Sequence, residues 1–413
     1  MSWTSVSQTL TPEGQAELIA QAAKDLQGLT LADIRDRARL TGRALAAVQK
    51  AASRTGVFAS QVLLASLAQQ VAAQVGGLGI FDELLPPNRS DLEEIMLNPD
   101  GRVWLLQKSA VFPEAYPRQP LKEEVWRAVE ALIAPMGRSI SEAQPSVDAK
   151  LPREAGMGGA RVKVIHPVLC AGTYPAINIR LFEPKPVPPS KIIDWKMCEP
   201  AVMEALLNLV GRRYRVLVLG GTRSGKTTFL SALCHGIHAD ARIVKIEDPE
   251  EIWLNHENVV TLEARPALPG SEIPAYTLAQ GVEDAMRMSP NWLILGEVRK
   301  GDAASALFSA MMSDHAGLTT FHADSPTTAV SRISMLIYGH SGQRVEAVKM
   351  LFAQAVDIVV QLGWAQGRRQ VMGIWEVSPE LKSGDVIFTP LWRPGDAAVA
   401  APQRQRGEEE LVK

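Results

Sequence analysis

Cysteine is scarce in this chain, with three residues, Cys170, Cys198 and Cys234, scattered and without a Cys-x-x-Cys pair. That usage suits a reducing compartment and offers no framework for a metal site. An excess of charge of either sign is also missing, since 43 basic residues face 45 acidic ones. Bulk attraction to nucleic acid or acidic lipid is therefore not indicated, and no basic stripe with interleaved aromatics supports a DNA helicase or translocase. Met1 to Gly14 has neither a basic region nor an apolar core, so no secretory leader is expected. The longest uncharged stretch, Thr55 to Phe81, is long enough to cross a bilayer. It contains Gln61, Gln69, Gln70 and Gln74, while Leu64, Leu67, Val71 and Val75 recur at helical spacing. It reads as an amphipathic helix packed on protein, with a partner or bilayer surface as the alternative.

A length of 413 residues exceeds what one hydrophobic core usually serves, which favours two or three domains. Thr11-Pro12-Glu13 reads as a helix start, with Thr as N-cap and Pro at N1, and Thr30-Leu31-Ala32-Asp33 offers a second. Residues 1–80 thus form an expected helical segment. From Phe81 the pattern changes to strand, turn, strand around Asn98-Pro99-Asp100-Gly101, with a helix over Leu121 to Ala134 and strands at Arg161 to Ile165 and Ala176 to Leu181. This predicts an α/β domain over 81–182. Glu183-Pro184-Lys185-Pro186-Val187-Pro188-Pro189 has the composition of a semi-rigid linker, set at 183–191. Over 192–395, helical and β-type runs alternate as in a parallel sheet with crossover helices. Its strand candidates are Tyr214 to Leu219, Arg242 to Ile246, Trp292 to Leu295, Gly317 to Phe321, Val356 to Leu362 and Arg369 to Val377, the last two as an antiparallel addition at the edge. Residues 396–413 are polar and are expected to be a disordered tail.

The strongest chemical signal is Gly220-Gly221-Thr222-Arg223-Ser224-Gly225-Lys226-Thr227-Thr228, preceded by the β-type run Leu217-Val218-Leu219 and followed by a helix-forming stretch. It is a Walker A loop in its required strand–loop–helix setting. Its backbone N–H groups would close around phosphate oxygens, Lys226 would meet the β- and γ-phosphates of ATP, and the Thr227 hydroxyl would bind Mg²⁺. Arg223 stands out, because an arginine gives up glycine's access to positive φ. Two acidic clusters follow successive strands: Ile246-Glu247-Asp248-Pro249-Glu250-Glu251, and Trp292-Leu293-Ile294-Leu295-Gly296-Glu297-Val298-Arg299, whose apolar strand ending in Glu297 has the character of a Walker B element. His322, at the end of a further strand, is placed to sense a γ-phosphate.

In these residues the chain resembles the secretion-superfamily traffic ATPases, most closely the CpaF-type pilus-assembly branch. That family carries Walker A, Asp-box, Walker B and His-box elements in this order, matched here by Gly220–Thr228, Ile246–Glu251, Leu293–Arg299 and Thr319–Ser325. Its implied fold is an α/β, RecA-like P-loop NTPase domain with a smaller α/β N-terminal domain, here with a helical N-terminal extension. The resemblance implies Glu251 as general base, with Glu247 as its rival, and Glu247, Asp248, Glu297 and Thr227 around Mg²⁺. Arg161 and Arg180, in runs that resemble strands of the family's N-terminal domain, would face the nucleotide. It further implies a cytoplasmic homo-hexamer, only peripheral to the inner membrane, working with a platform protein there and with no specific nucleic acid. Its work would drive pilus or pseudopilus assembly or secretion. A conjugative type IV secretion ATPase is the close alternative, suited by Asn98 to Trp104. An ATP-gated scaffold with negligible turnover is disfavoured by the presence of both Glu251 and Glu297.

Overall fold

The computed structural model describes residues 11–26, 29, 33–34, 36–57, 59–108, 110–134, 138–153, 157–267, 272–313 and 315–406. The chain divides into two compact units between Pro184 and Lys185. In the first, an antiparallel sheet is built from β1 (Leu92–Leu97), β2 (Val103–Gln107), β3 (Glu114–Ala115), β4 (Ser146–Leu151), β5 (Ala160–Ile165) and β6 (Ala176–Leu181), in the order β3-β2-β1-β6-β5-β4. Along β5, Ala160, Val162 and Val164 are buried and the alternate residues are not, the period-2 signature of a sheet covered on one face.

That covered face is met by the N-terminal helices. Leu18, Leu40, Val48, Leu67 and Val71 share one continuous core with Ile95, Val129, Val162 and Ile179. Among the described residues of 1–80, the expected helices thus pack as a layer against this sheet within the same unit. Thr11 does cap the first helix (Pro12–Asp25), accepting from Gly14 N, whereas the signal at Thr30–Ala32 falls outside the described residues. The uncharged stretch forms a shorter helix, Gln61–Val75, capped by Ser60, with Leu67, Val71 and Val75 buried. No helix among the described residues is long and apolar enough to cross a membrane.

The second unit is a three-layer α/β arrangement. Its sheet contains β7 (Val216–Gly220), β8 (Ile243–Glu247), β9 (Val259–Glu263), β10 (Trp292–Val298), β11 (Ala316–Phe321), β12 (Ile358–Ala365), β13 (Arg368–Lys382) and β14 (Asp385–Trp392). The order is β14-β13-β12-β7-β11-β10-β8-β9. The central strands are mostly apolar because both faces are covered. Val216, Val218 and Ile294 enter one core, and Leu217, Leu219, Leu293 and Leu295 enter the other. Two expectations are corrected here. β12 pairs parallel with β7 and so extends the parallel part of the sheet, and the reversed strand is β13, which pairs antiparallel with both β12 and β14. The proline-rich 183–191 segment turns into a helix at Pro189, which, with Pro188 before it, can begin a helix without losing an internal hydrogen bond. The C-terminal residues through Arg406 are also tied down, with Gln403 N and Arg404 N donating to Glu376 and the Tyr214 hydroxyl donating to Arg404 O.

Candidate functional site

Four sequence-predicted elements come together at the carboxyl edge of the parallel strands. Gly220 ends β7, Glu247 ends β8, Glu297 is next to last in β10, and His322 directly follows β11. Short β-type runs stop there because each is followed by a turn-forming or acidic stretch, so polar groups gather on one rim of an apolar sheet.

The Gly220–Thr228 loop is shaped by close approaches. A Cβ on Gly220 would sit 2.3 Å from Ser224 Oγ and 2.9 Å from Leu362 O, so only glycine allows the loop to fold back there. Ser224 Oγ donates to Gly221 O at 2.9 Å. Arg223 does adopt positive φ, 62°, at a cost of about 1 kcal/mol for a residue with a Cβ. Gly225 then starts the helix Lys226–Leu233 without a side-chain cap. The first-turn N–H groups and the positive end of the helix dipole therefore serve the loop, which is the chemistry that holds an anion. Lys226 is 9% exposed and donates from Nζ to Gly221 O at 2.9 Å. Thr227 and Thr228 are half-buried on the first helical turn.

The first acidic cluster has a different internal logic from the one its sequence suggests. Glu247 is buried, and its Oε1 accepts from Glu251 N at 3.1 Å and Ile252 N at 2.9 Å. Its Oε2 meets Lys245 Nζ at 3.0 Å, and that ammonium also reaches Glu250 Oε1 and Ile252 O, each at 2.6 Å. Burial raises the Glu247 carboxyl above the ordinary glutamate range against the pull of Lys245 and the two N–H donors. Asp248 is exposed and Glu251 half-buried beside this anchor. Gly296 passes so close that a Cβ there would lie 3.1 Å from Glu247 Cγ, which brings the two acidic clusters edge to edge.

Glu297 owes its placement to a register irregularity. Between the pairs Leu295↔Thr319 and Val298↔Phe321, β10 carries one residue more than β11. Such a bulge re-aims side chains at a strand end. Thr320 Oγ1 donates to Gly296 O across it at 2.8 Å. Glu297 Oε2 pairs with Arg299 Nε at 2.6 Å. Burial opposes the charge on Arg299, but the carboxylates of Glu297, Glu251 and Asp248 outweigh it and raise its pKa. Those three acids therefore share one electrostatic neighbourhood.

His322 contacts the glycine-rich loop directly, its Nε2 lying 2.8 Å from Thr222 Oγ1. Arg161 and Arg180 belong to the N-terminal unit. There the strands set them directly opposite one another on β5 and β6, with Arg161 4.0 Å from Asp148. Like charges in that position are unfavourable unless an anion lies nearby.

Sequence reasoning overlooked Lys245 and Arg332. A charged residue inside the apolar run Ile243-Val244-Lys245-Ile246, two residues before Glu247, was a usable signal, because alternate strand residues share a face. Arg332 gave none. It lies ten positions beyond His322, on the helix Pro326–Ser341, and the tertiary fold alone joins them.

Comparison with known proteins yields a consistent set of similarities. The family described as Type II/IV secretion system protein matches residues 118–367. The chain is 29% identical over 326 residues to a putative conjugal transfer protein of Mycobacterium tuberculosis, covering 73% of this chain and 89% of the relative. It is 30% identical over 281 residues to the conjugal transfer protein TrbB of Rhizobium radiobacter, covering 67% and 81%. The structure of the Legionella pneumophila ATPase DotB has the same general fold, with a TM-score of 0.53 at 17% identity over 72% of this chain and 81% of that one.

Proposed function

Because the chain belongs to the type II/IV secretion system protein family, we propose that it is a RecA-like ATPase that turns ATP hydrolysis into mechanical work for a secretion or conjugation machine. The observation that carries this reading is the convergence of Gly220–Thr228, Glu251, Glu297 and His322 on one rim of the sheet. In the proposed division of labour, the loop N–H groups hold the phosphates. Lys226 leaves Gly221 O for the β- and γ-phosphates, where its charge is worth most. The uncapped helix start suits the phosphates, while Thr227, Asp248 and Glu297 would hold a hydrated Mg²⁺, which when bound would supply charge neutralisation to those phosphates. Glu251 orients and deprotonates the attacking water. Glu247 anchors the loop that carries Asp248 and Glu251 and does not hold the cation, because both of its oxygens are committed to Lys245 and to backbone N–H groups.

A phosphate-release assay with Glu251→Gln and Glu247→Gln tests the assignment. Glu251→Gln is expected to turn over about a hundredfold more slowly with its nucleotide affinity and melting temperature retained. Glu247→Gln is expected to lower the melting temperature. Near-normal turnover in Glu251→Gln, beside a slow and thermally intact Glu247→Gln, reverses the two roles.

Arg161 and Arg180 are proposed to complete the charge around the transferring phosphoryl group, shared between subunits of a homo-hexamer that docks peripherally on an inner-membrane platform protein from the cytoplasm. Each alanine variant should bind ATP yet turn over about tenfold more slowly or worse. A 185–413 fragment should be nearly inactive, with folding checked by circular dichroism and ring formation by mass photometry. Full activity from a monomeric fragment would refute the shared site. The conjugal-transfer relatives favour a transfer machine over pilus assembly, and turnover is expected to be indifferent to added single-stranded DNA.

A further inference from the structure

We propose that Arg332 is a positioning residue that holds His322 in its Nε2–H tautomer, so that Arg332, His322 and Thr222 form a one-directional donor chain ending at the apex of the nucleotide loop. The proposal deepens the ATPase reading, and its kinetic arm rests on that reading. Arg332 Nη1 lies 3.2 Å from His322 Nδ1 and also donates to His322 O. That nitrogen carries two hydrogens, one for each acceptor. The guanidinium is held further by its position over the Phe321 ring, 5.5 Å from the centroid, at the end of β11.

A guanidinium has no acceptor atom, so its contact with Nδ1 requires a lone pair there, and the ring hydrogen must then sit on Nε2. From Nε2 it points at Thr222 Oγ1, 2.8 Å away. A hydroxyl that accepts one hydrogen bond still has its own hydrogen to give. With His322 occupying a lone pair of Oγ1, the Thr222 hydrogen is directed to an anionic oxygen held by the loop. In the opposite tautomer, Nε2 would take the Thr222 hydrogen for itself, and an Nδ1–H would face the guanidinium. Loss of Arg332 therefore acts on the loop without touching nucleotide, through the direction in which one hydroxyl donates.

Two measurements test this on the full-length chain. The first needs no activity. Histidine-selective ¹⁵N labelling reads the tautomer of His322 among seven histidines, its signal assigned by its disappearance in His322→Gln. The wild-type protein should show the Nε2–H form, and Arg332→Leu a mixture. An Nδ1–H form in the wild type, or an unchanged spectrum in Arg332→Leu, overturns the proposal.

The second measurement is kinetic. Arg332→Leu should lower kcat about tenfold, the scale of one charge-assisted hydrogen bond, with KM for ATP within about twofold. Arg332→Lys keeps a donor for Nδ1 and should recover most of the loss. In a His322→Ala background, Arg332→Leu should cost nothing further, which a merely structural role for the arginine would not produce. Additive losses, or an Arg332→Leu enzyme as fast as wild type, overturn the proposal. Absence of ATP turnover in the wild type would instead count against the ATPase reading and leave the tautomer measurement to decide this one.

Discussion

Lys226→Ala is expected to slow phosphate release about a thousandfold while the protein stays folded. The side chain is 9% exposed, and Nζ is bonded at 2.9 Å to Gly221 O, inside the loop it helps to shape. In the proposed mechanism this lysine would exchange the Gly221 carbonyl for phosphate oxygens. There it offsets charge that grows in the transition state within a site partly screened from water, so its removal weighs more on kcat than on binding. Alanine is at least as good a helix former at this first helical position, so the fold loses little. Circular dichroism alongside the phosphate assay separates the two effects. Intact turnover in a folded variant would remove the loop from the proposed chemistry.

The largest effect on stability is expected at Asp357, just before β12, far from the loop. Its fully buried carboxylate accepts from Arg215 N at 2.9 Å, Arg215 Nε at 3.0 Å and Arg406 Nε at 2.9 Å, and pairs with Arg404 Nε at 2.8 Å. Arg215 is itself only 3% exposed. Asp357→Ala would remove the buried carboxylate on which three guanidinium groups converge, a loss of about 3–5 kcal/mol of stability. Burial alone would raise the Asp357 pKa, but the hydrogen bonds and charges of Arg215, Arg406 and Arg404 outweigh it and hold the carboxyl below the ordinary aspartate range. A carboxyl depressed in the folded state stabilises fully above its unfolded pKa of about 3.9, and that stabilisation is lost as pH falls through the lower folded value. Urea melts of the wild type and Asp357→Ala should therefore differ widely at neutral pH and converge in acid below about pH 4. A constant difference across that range would show that the arginines do not depend on this charge.

Much of the site was legible because its chemistry is local. A β-type run, a glycine-rich turn and a helix must adjoin in sequence for backbone N–H groups to surround a phosphate, so Gly220 to Thr228 announces itself within nine residues. The acidic clusters were legible for a related reason, since parallel strands deliver their following residues to one rim. The positive φ of Arg223 was also foreseeable, because a tight loop imposes it whatever residue stands there.

Other features depend on which distant segments become neighbours. Nothing local in Thr55 to Phe81 says that its stripe completes the core of a sheet starting at Leu92. The polar tail after Arg393 reads as unstructured by composition, yet Arg404 and Arg406 close on an aspartate nearly fifty residues earlier, whose first partner lies 142 residues earlier still. Glu247 looks like a cation ligand by its place after a strand, but a buried lysine and two backbone donors claim its oxygens. Periodicity and turn chemistry determined the elements and the order of the motifs, because those obey interactions within a few residues. Tertiary structure decided which charge meets which, because pairing of buried polar groups is settled only when the cores have closed and each donor must find an acceptor.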